Sequence, residues 1–166
     1  MSDAHLHLRP AAPPDAALIF TLICELAAYE QLSRDVAANE GLIAAALFTE
    51  SPRAFCTIAE YDGVPAGLVL WFYTFSTFRG RHGIWIEDLY VRERFRGAGI
   101  GRALLTSLAH RCHEEKLGRL EWAVLNWNAP AIAFYEKIGA RLQQEWTMCR
   151  LDGAALNNFG EAARSP

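Results

Sequence analysis

Arg92-Glu93-Arg94-Phe95-Arg96-Gly97-Ala98-Gly99-Ile100-Gly101-Arg102 is the stretch on which the reading of this chain turns. The apolar run Ile84-Trp85-Ile86-Glu87-Asp88-Leu89-Tyr90-Val91 leads into it, and apolar residues at helical spacing (Ile100, Leu104, Leu108, Cys112) leave it. Strand, glycine-rich loop and helix aim backbone N–H groups and the positive helix end at an anion, and small residues let the anion come close. Four arginines in the same stretch add guanidinium groups suited to phosphate. A phosphorylated ligand is the expectation, and the rest of the chain must say which one.

Upstream, Asp62-Gly63 is a hairpin turn between strands over Ala54–Tyr61 and Pro65–Tyr73, with a loop expected from Ser76 to Gly83. Further back, His5–Arg9 alternates as a first strand. Pro13-Pro14-Asp15 opens a helix with Leu18, Leu22 and Leu26 on one face, running to about Gln31. A shorter helix covers about Asn39 to Phe48. Downstream, the helix after the loop runs to about Lys116 and stops at Gly118. A strand over Leu120–Leu125 follows, then a helix capped by Asn128 and started by Pro130, stopping at Gly139, and a last strand over Gln143–Leu151. The order β-α-α-β-β-β-α-β-α-β predicts an α/β fold with one mixed, mostly antiparallel sheet and helices on both faces. One domain over 1–156 and a polar tail over 157–166 are expected.

The 166 residues are 52% hydrophobic and 21% charged, with a formal net charge of −3, which fits one soluble domain and argues against a general nucleic-acid binder. The longest apolar run, Leu68 to Phe75, is too short for a membrane span. No basic-then-apolar segment opens the sequence, and Cys24, Cys56, Cys112 and Cys149 form no CxxC, so reduced thiols in a cytoplasmic protein are expected. His110 and His113 share a helix face with no third ligand by spacing, so no metal is expected.

Three nucleotide-type loops compete for the stretch. A P-loop needs Lys-Ser or Lys-Thr after its last glycine, and Arg102-Ala103 follows Gly101 here. A dinucleotide loop needs G-x-G-x-x-G, and glycines 97, 99 and 101 misplace the third; Glu121 at ribose distance keeps that reading open. Arg96-Gly97-Ala98-Gly99-Ile100-Gly101 matches R-x-x-G-x-G, the signature of the GCN5-related N-acetyltransferases (GNAT). Asn128-Ala129-Pro130-Ala131-Ile132-Ala133-Phe134-Tyr135-Glu136-Lys137-Ile138-Gly139-Ala140 resembles the later helix of the same superfamily. The resemblance narrows to the spermidine/spermine and thialysine N-acetyltransferase branch through Leu26–Glu30, Ile86–Val91, Glu121–Asn128 and Glu145-Trp146, and runs from about Leu6 to Leu156.

That resemblance implies an acetyl-CoA-dependent enzyme acetylating a primary amine by direct attack in a ternary complex, on a diamine, polyamine or lysine-like ω-amine such as thialysine. It places the pantetheine arm on backbone groups of Leu89, Tyr90 and Val91. The pyrophosphate falls on the N–H groups of Gly97, Ala98, Gly99, Ile100, Gly101 and Arg102, with Arg96 assisting and Asn128 touching the cofactor. Tyr135 becomes the acid that protonates the leaving thiolate, since a phenol of pKa about 10 holds its proton at neutral pH. Glu87 becomes the base, and Tyr29, Glu30 and Glu87 meet the amine. Glu87 and Asp88 are adjacent on a strand and so point to opposite faces, which leaves one of them for the site. Polyamine enzymes of the branch carry an acidic residue where this chain has Ser76, which weakens a polyamine reading. The branch implies a homodimer, to which Trp71, Phe72, Tyr73 and Phe75 contribute. The alternatives are a protein or peptide acceptor, or a CoA-binding module without catalysis.

Overall fold

The computed structural model describes residues 5–162, and the chain falls into two compact units, one running to Leu125 and the other from Asn126 onward. The first unit holds a five-stranded sheet ordered β1 (Leu6–Pro10), β2 (Phe55–Tyr61), β3 (Val64–Ser76), β4 (Arg81–Val91) and β5 (Leu120–Trp122). Neighbours are antiparallel except β4 and β5, which are parallel and joined through helix α3, Ile100–Glu114. Helices α1 (Ala16–Tyr29) and α2 (Glu40–Leu47) come between β1 and β2, α2 capped by Asn39, whose Oδ1 accepts from the Leu42 N–H. The mixed, mostly antiparallel α/β sheet read from the sequence is the one observed.

Alternation along the strands sorts the core. Ile58, Leu68 and Tyr90 lie in one row across β2, β3 and β4, and they form one cluster with Ile19, Leu22 and Leu26 of α1 and Leu47 of α2. The opposite face belongs to α3. A Cβ on its Gly101 would lie 3.8 Å from Val91, its Arg111 stacks on Trp71, and its Leu104 and Leu108 are buried. Burial pushes the Cys56 thiol up to about 12, so it stays a protonated core residue.

Three local expectations are corrected. The loop expected over Ser76–Gly83 is only the turn between Ser76 and Arg81, because Gly83 lies inside β4 opposite Thr74. Glycine is needed there for close approach: a Cβ would meet the Arg119 carbonyl at 2.8 Å and Thr74 Oγ1 at 3.1 Å. Gly83→Ala is therefore expected to cost roughly 1–3 kcal/mol, the usual range for overpacking, read as a lower urea midpoint at unchanged slope. Secondly, α3 ends through Lys116, at φ 56, while the Gly118 N–H donates to the His82 carbonyl. Thirdly, of the four β3 aromatics expected to contribute to an interface, Trp71 is not at the surface. Trp71 is buried against Phe55, Tyr73 and Arg111, whereas Tyr73 and Phe75 are exposed.

The second unit holds α4 (Ala129–Lys137) and α5 (Gly153–Ala162). Asn128 caps α4 as expected, its Oδ1 accepting from the Ala131 N–H at 3.3 Å, and Gly139 stops it at φ 94. The strand expected over Gln143–Leu151 is absent: those residues pair with no strand among the described residues, and Trp146 and Met148 are exposed. Alternation is a local signal, whereas a strand exists only with a ladder partner. Helix α5 crosses the boundary drawn at 157, and residues 163–166 lie outside the described residues.

Candidate functional site

The site grows out of an irregularity in β4. Leu70 pairs with Asp88 and Trp71 with Ile86, which leaves Glu87 as an extra residue opposite nothing in β3, a β-bulge. The bulge resets the alternation. Asp88 shares a row with Leu70, on the α1 side, and Glu87 reaches the Nε1–H of Trp85, which lies opposite Phe72 on that same side. The two adjacent carboxylates therefore project together, against the expectation from a regular strand.

A third carboxylate joins them from the end of α1. Asp88 is raised from 3.8 to about 6, first by burial and then by the charges of Glu87 and Glu30. Glu30, the C-cap of α1, is itself raised by burial. The charges of Glu87 and Glu30 thus both act on Asp88, a repulsion that a cation would relieve.

The sheet also opens beside the bulge. Strand β5 pairs with Ile84, Trp85 and Ile86 only, so beyond Ile86 no strand covers the outer edge of β4 among the described residues. Strand β5 itself stops at Trp122, short of the Leu125 expected. On the inner side the Arg92 N–H donates to the Ala66 carbonyl, and ladder alternation then turns the polar groups of Tyr90 toward β3 and those of Leu89 and Val91 outward. Tyr90 thereby differs from its two neighbours in the backbone role expected of all three. The open edge is what an extended amide-bearing arm can pair with.

That edge leads to the glycine-rich loop. Gly97 and Gly99 have φ 82 and 79, and Gly99 is the N-cap of α3 with no side chain capping it. The first helix bond is Ala103 N–H to the Gly99 carbonyl, so the N–H groups of Ile100, Gly101 and Arg102 point out of the helix end without an intrahelical acceptor. This chemistry fits a pyrophosphate. Three of the four arginines make contacts within the protein. Arg92 is engaged by Glu25 through several bonds, the shortest 2.8 Å, and by the Pro65 carbonyl at 2.9 Å, while Arg94 stacks on Phe95. Arg96 donates through Nε to the Val91 carbonyl at 3.0 Å and stacks 4.5 Å over the Tyr29 ring, joining the loop to the end of α1. Arg92, Arg94 and Arg96 thus each have a partner within the protein.

A model of the acetyltransferase (GNAT) family matches residues 21–140. The chain belongs to the GNAT family. This GNAT chain is an acetyltransferase, and members of its family use acetyl-CoA. It is 34% identical to the thialysine N-epsilon-acetyltransferase of Bos taurus, over 94% of this chain and 98% of that one. It is 32% identical to an L-ornithine N5-acetyltransferase of Arabidopsis thaliana, over 90% and 85%. Among solved structures, an integron cassette protein from the mobile metagenome of V. cholerae superposes with a TM-score of 0.77 at 27% identity, over 97% of this chain and 99% of that one.

In the second unit of the GNAT chain, Tyr135 lies on α4 with its ring 5.5 Å from Phe134, and Asn128 is buried at the start of that helix. Ser76, at the end of β3, accepts a bond from the Arg79 N–H and pairs with Arg81. No group of three or more His, Cys, Asp or Glu among the described residues is arranged to hold a metal, and no described helix is long and apolar enough to cross a membrane. The sequence reading left the site to one of Glu87 and Asp88, because it did not foresee the bulge. The sequence signal for Asp88 is the doubled acid in an apolar strand.

Proposed function

We propose that the protein transfers the acetyl group of acetyl-CoA to the primary amine of a small cationic molecule, in a ternary complex without an acyl-enzyme. The observation that carries this reading is the mutual repulsion of Asp88 with Glu87 and Glu30 at the point where β4 loses its outer partner, upstream of the uncapped start of α3. Acetyl-CoA supplies an acetyl thioester; Leu89 and Val91 present the edge for its arm, and Gly97 to Arg102 present N–H groups to its pyrophosphate. Asp88 and Glu30, with the Tyr29 ring, hold the ammonium. Glu87, the most exposed of the acids, accepts the proton that the ammonium must lose before its nitrogen attacks. Tyr135 holds the proton that the departing thiolate takes. Asn128 fixes the start of the helix that carries Tyr135.

An amino acid with a side-chain amine is favoured over a polyamine. Ser76 and the facing Arg81 offer no anion for a second ammonium, and the thialysine and ornithine enzymes are the relatives of substantial identity. The test is thiol release from acetyl-CoA with ornithine, lysine, thialysine, putrescine and spermidine. Turnover is expected with the amino acids, and kcat/KM for spermidine and putrescine is expected to be at least tenfold lower. CoA binding without turnover of any amine would sink the proposal.

A further inference from the structure

We propose that Trp85 is a positioning residue for the carboxylate of Glu87, an inference that rests on the reading of Glu87 as the proton acceptor. The indole Nε1–H donates to Glu87 Oε2 at 3.0 Å. Because Glu87 is the bulged residue, no partner in β3 fixes its place in the ladder, and its side chain is exposed. Trp85 is the opposite case. Its backbone is paired on both sides, with Phe72 in β3 and Glu121 in β5, just before the sheet opens. A donor in the tightly held part of the strand thus reaches a carboxylate at its least constrained point.

The bond engages one oxygen only, and Oε1 has no hydrogen bond to any described residue. Holding Oε2 sets the direction in which Oε1 is presented, which is what proton transfer from an ammonium requires. A bond from a neutral N–H to an ionised acceptor is stronger than one between neutral groups. Catalytic geometry is sensitive to displacements of about an ångström, each worth up to 10²-fold in rate. Any aromatic ring fills the space opposite Phe72; the N–H is what indole adds.

Trp85→Phe keeps a ring and removes the donor. It is expected to lower kcat roughly tenfold while leaving KM for acetyl-CoA within about twofold, and to lower nothing further when Glu87 is already Ala. A purely structural role would depress both backgrounds alike and lower the melting temperature. The Trp85 indole N–H resonance in 15N-labelled protein, assigned through its own side-chain correlations, is expected to shift upfield in Glu87→Ala. Unchanged kcat in Trp85→Phe, or an indole resonance indifferent to Glu87→Ala, overturns the proposal. If Trp85→Phe fails to fold, the resonance comparison decides alone. If the wild type acetylates no amine, the functional reading fails while the resonance still reports the hydrogen bond.

Discussion

Asp88→Asn is expected to make the protein more stable at neutral pH and a poorer enzyme. The carboxyl is raised from 3.8 to about 6, with burial the largest cause and the charges of Glu87 and Glu30 next. Between those two values the unfolded chain has released its proton and the folded chain still holds it. The folded state therefore binds more protons, and stability falls as pH rises from about 4 to about 6 and stays lower above that. A difference of this size corresponds to at most about 3 kcal/mol, and relaxation and partial exposure reduce it to roughly 1–2 kcal/mol. Removing the charge restores that amount and flattens the slope, a gain of several degrees in melting temperature for a chain of this size. The same substitution removes one of the three anions proposed to face the ammonium, and KM for the amine is expected to rise tenfold or more while KM for acetyl-CoA is little changed. Thermal denaturation from pH 4 to 8, with amine saturation curves, checks both halves. A variant less stable at pH 7, with the acid slope intact, would show that the Asp88 charge is already compensated in the folded protein.

The tension at Asp88 also explains what the sequence disclosed and what it withheld. Signals that live within a few residues were legible. The Asp62-Gly63 turn, the Asn128 cap and the positive-φ glycines 97 and 99 each stand where local chemistry puts them. The bulge is not local. It is a mismatch of register between β3 and β4 that puts Glu87 and Asp88 on one side, next to the place where β5 stops at Trp122 and leaves the outer edge of β4 open. Partnership across the chain was equally hidden. Arg92 lies among residues that invite a phosphate, yet it is taken by Glu25, 67 residues away in sequence. Counting arginines near a glycine loop overstates the charge offered to a ligand unless the acids that claim them are known. The missing strand over Gln143–Leu151 is the same lesson reversed, a pattern with no neighbour to complete it.

Tyr135→Phe is expected to lower kcat by roughly 10²- to 10³-fold, within the range general acid catalysis usually supplies. The argument concerns the leaving group. An amine attacking a thioester must expel a thiolate, and a phenol that stays protonated at neutral pH can supply a proton as the carbon–sulfur bond breaks. Phe retains the ring beside Phe134, and the cap of α4 at Asn128 does not depend on the hydroxyl, so the helix is expected to fold unchanged. Acetyl-CoA binding should also persist, because the proposed cradle at Gly97 to Arg102 lies on other elements of the chain. The loss should therefore appear in kcat with KM for acetyl-CoA within a few fold, the signature of an interaction made only in the transition state. A stricter test varies the thiol. Acetyl thioesters whose thiols are more acidic need less help in leaving, so the ratio of wild-type to Tyr135→Phe rates should shrink as thiol acidity increases. A constant ratio across such a series would place the hydroxyl in substrate orientation, and full activity in the variant would remove Tyr135 from the chemistry altogether.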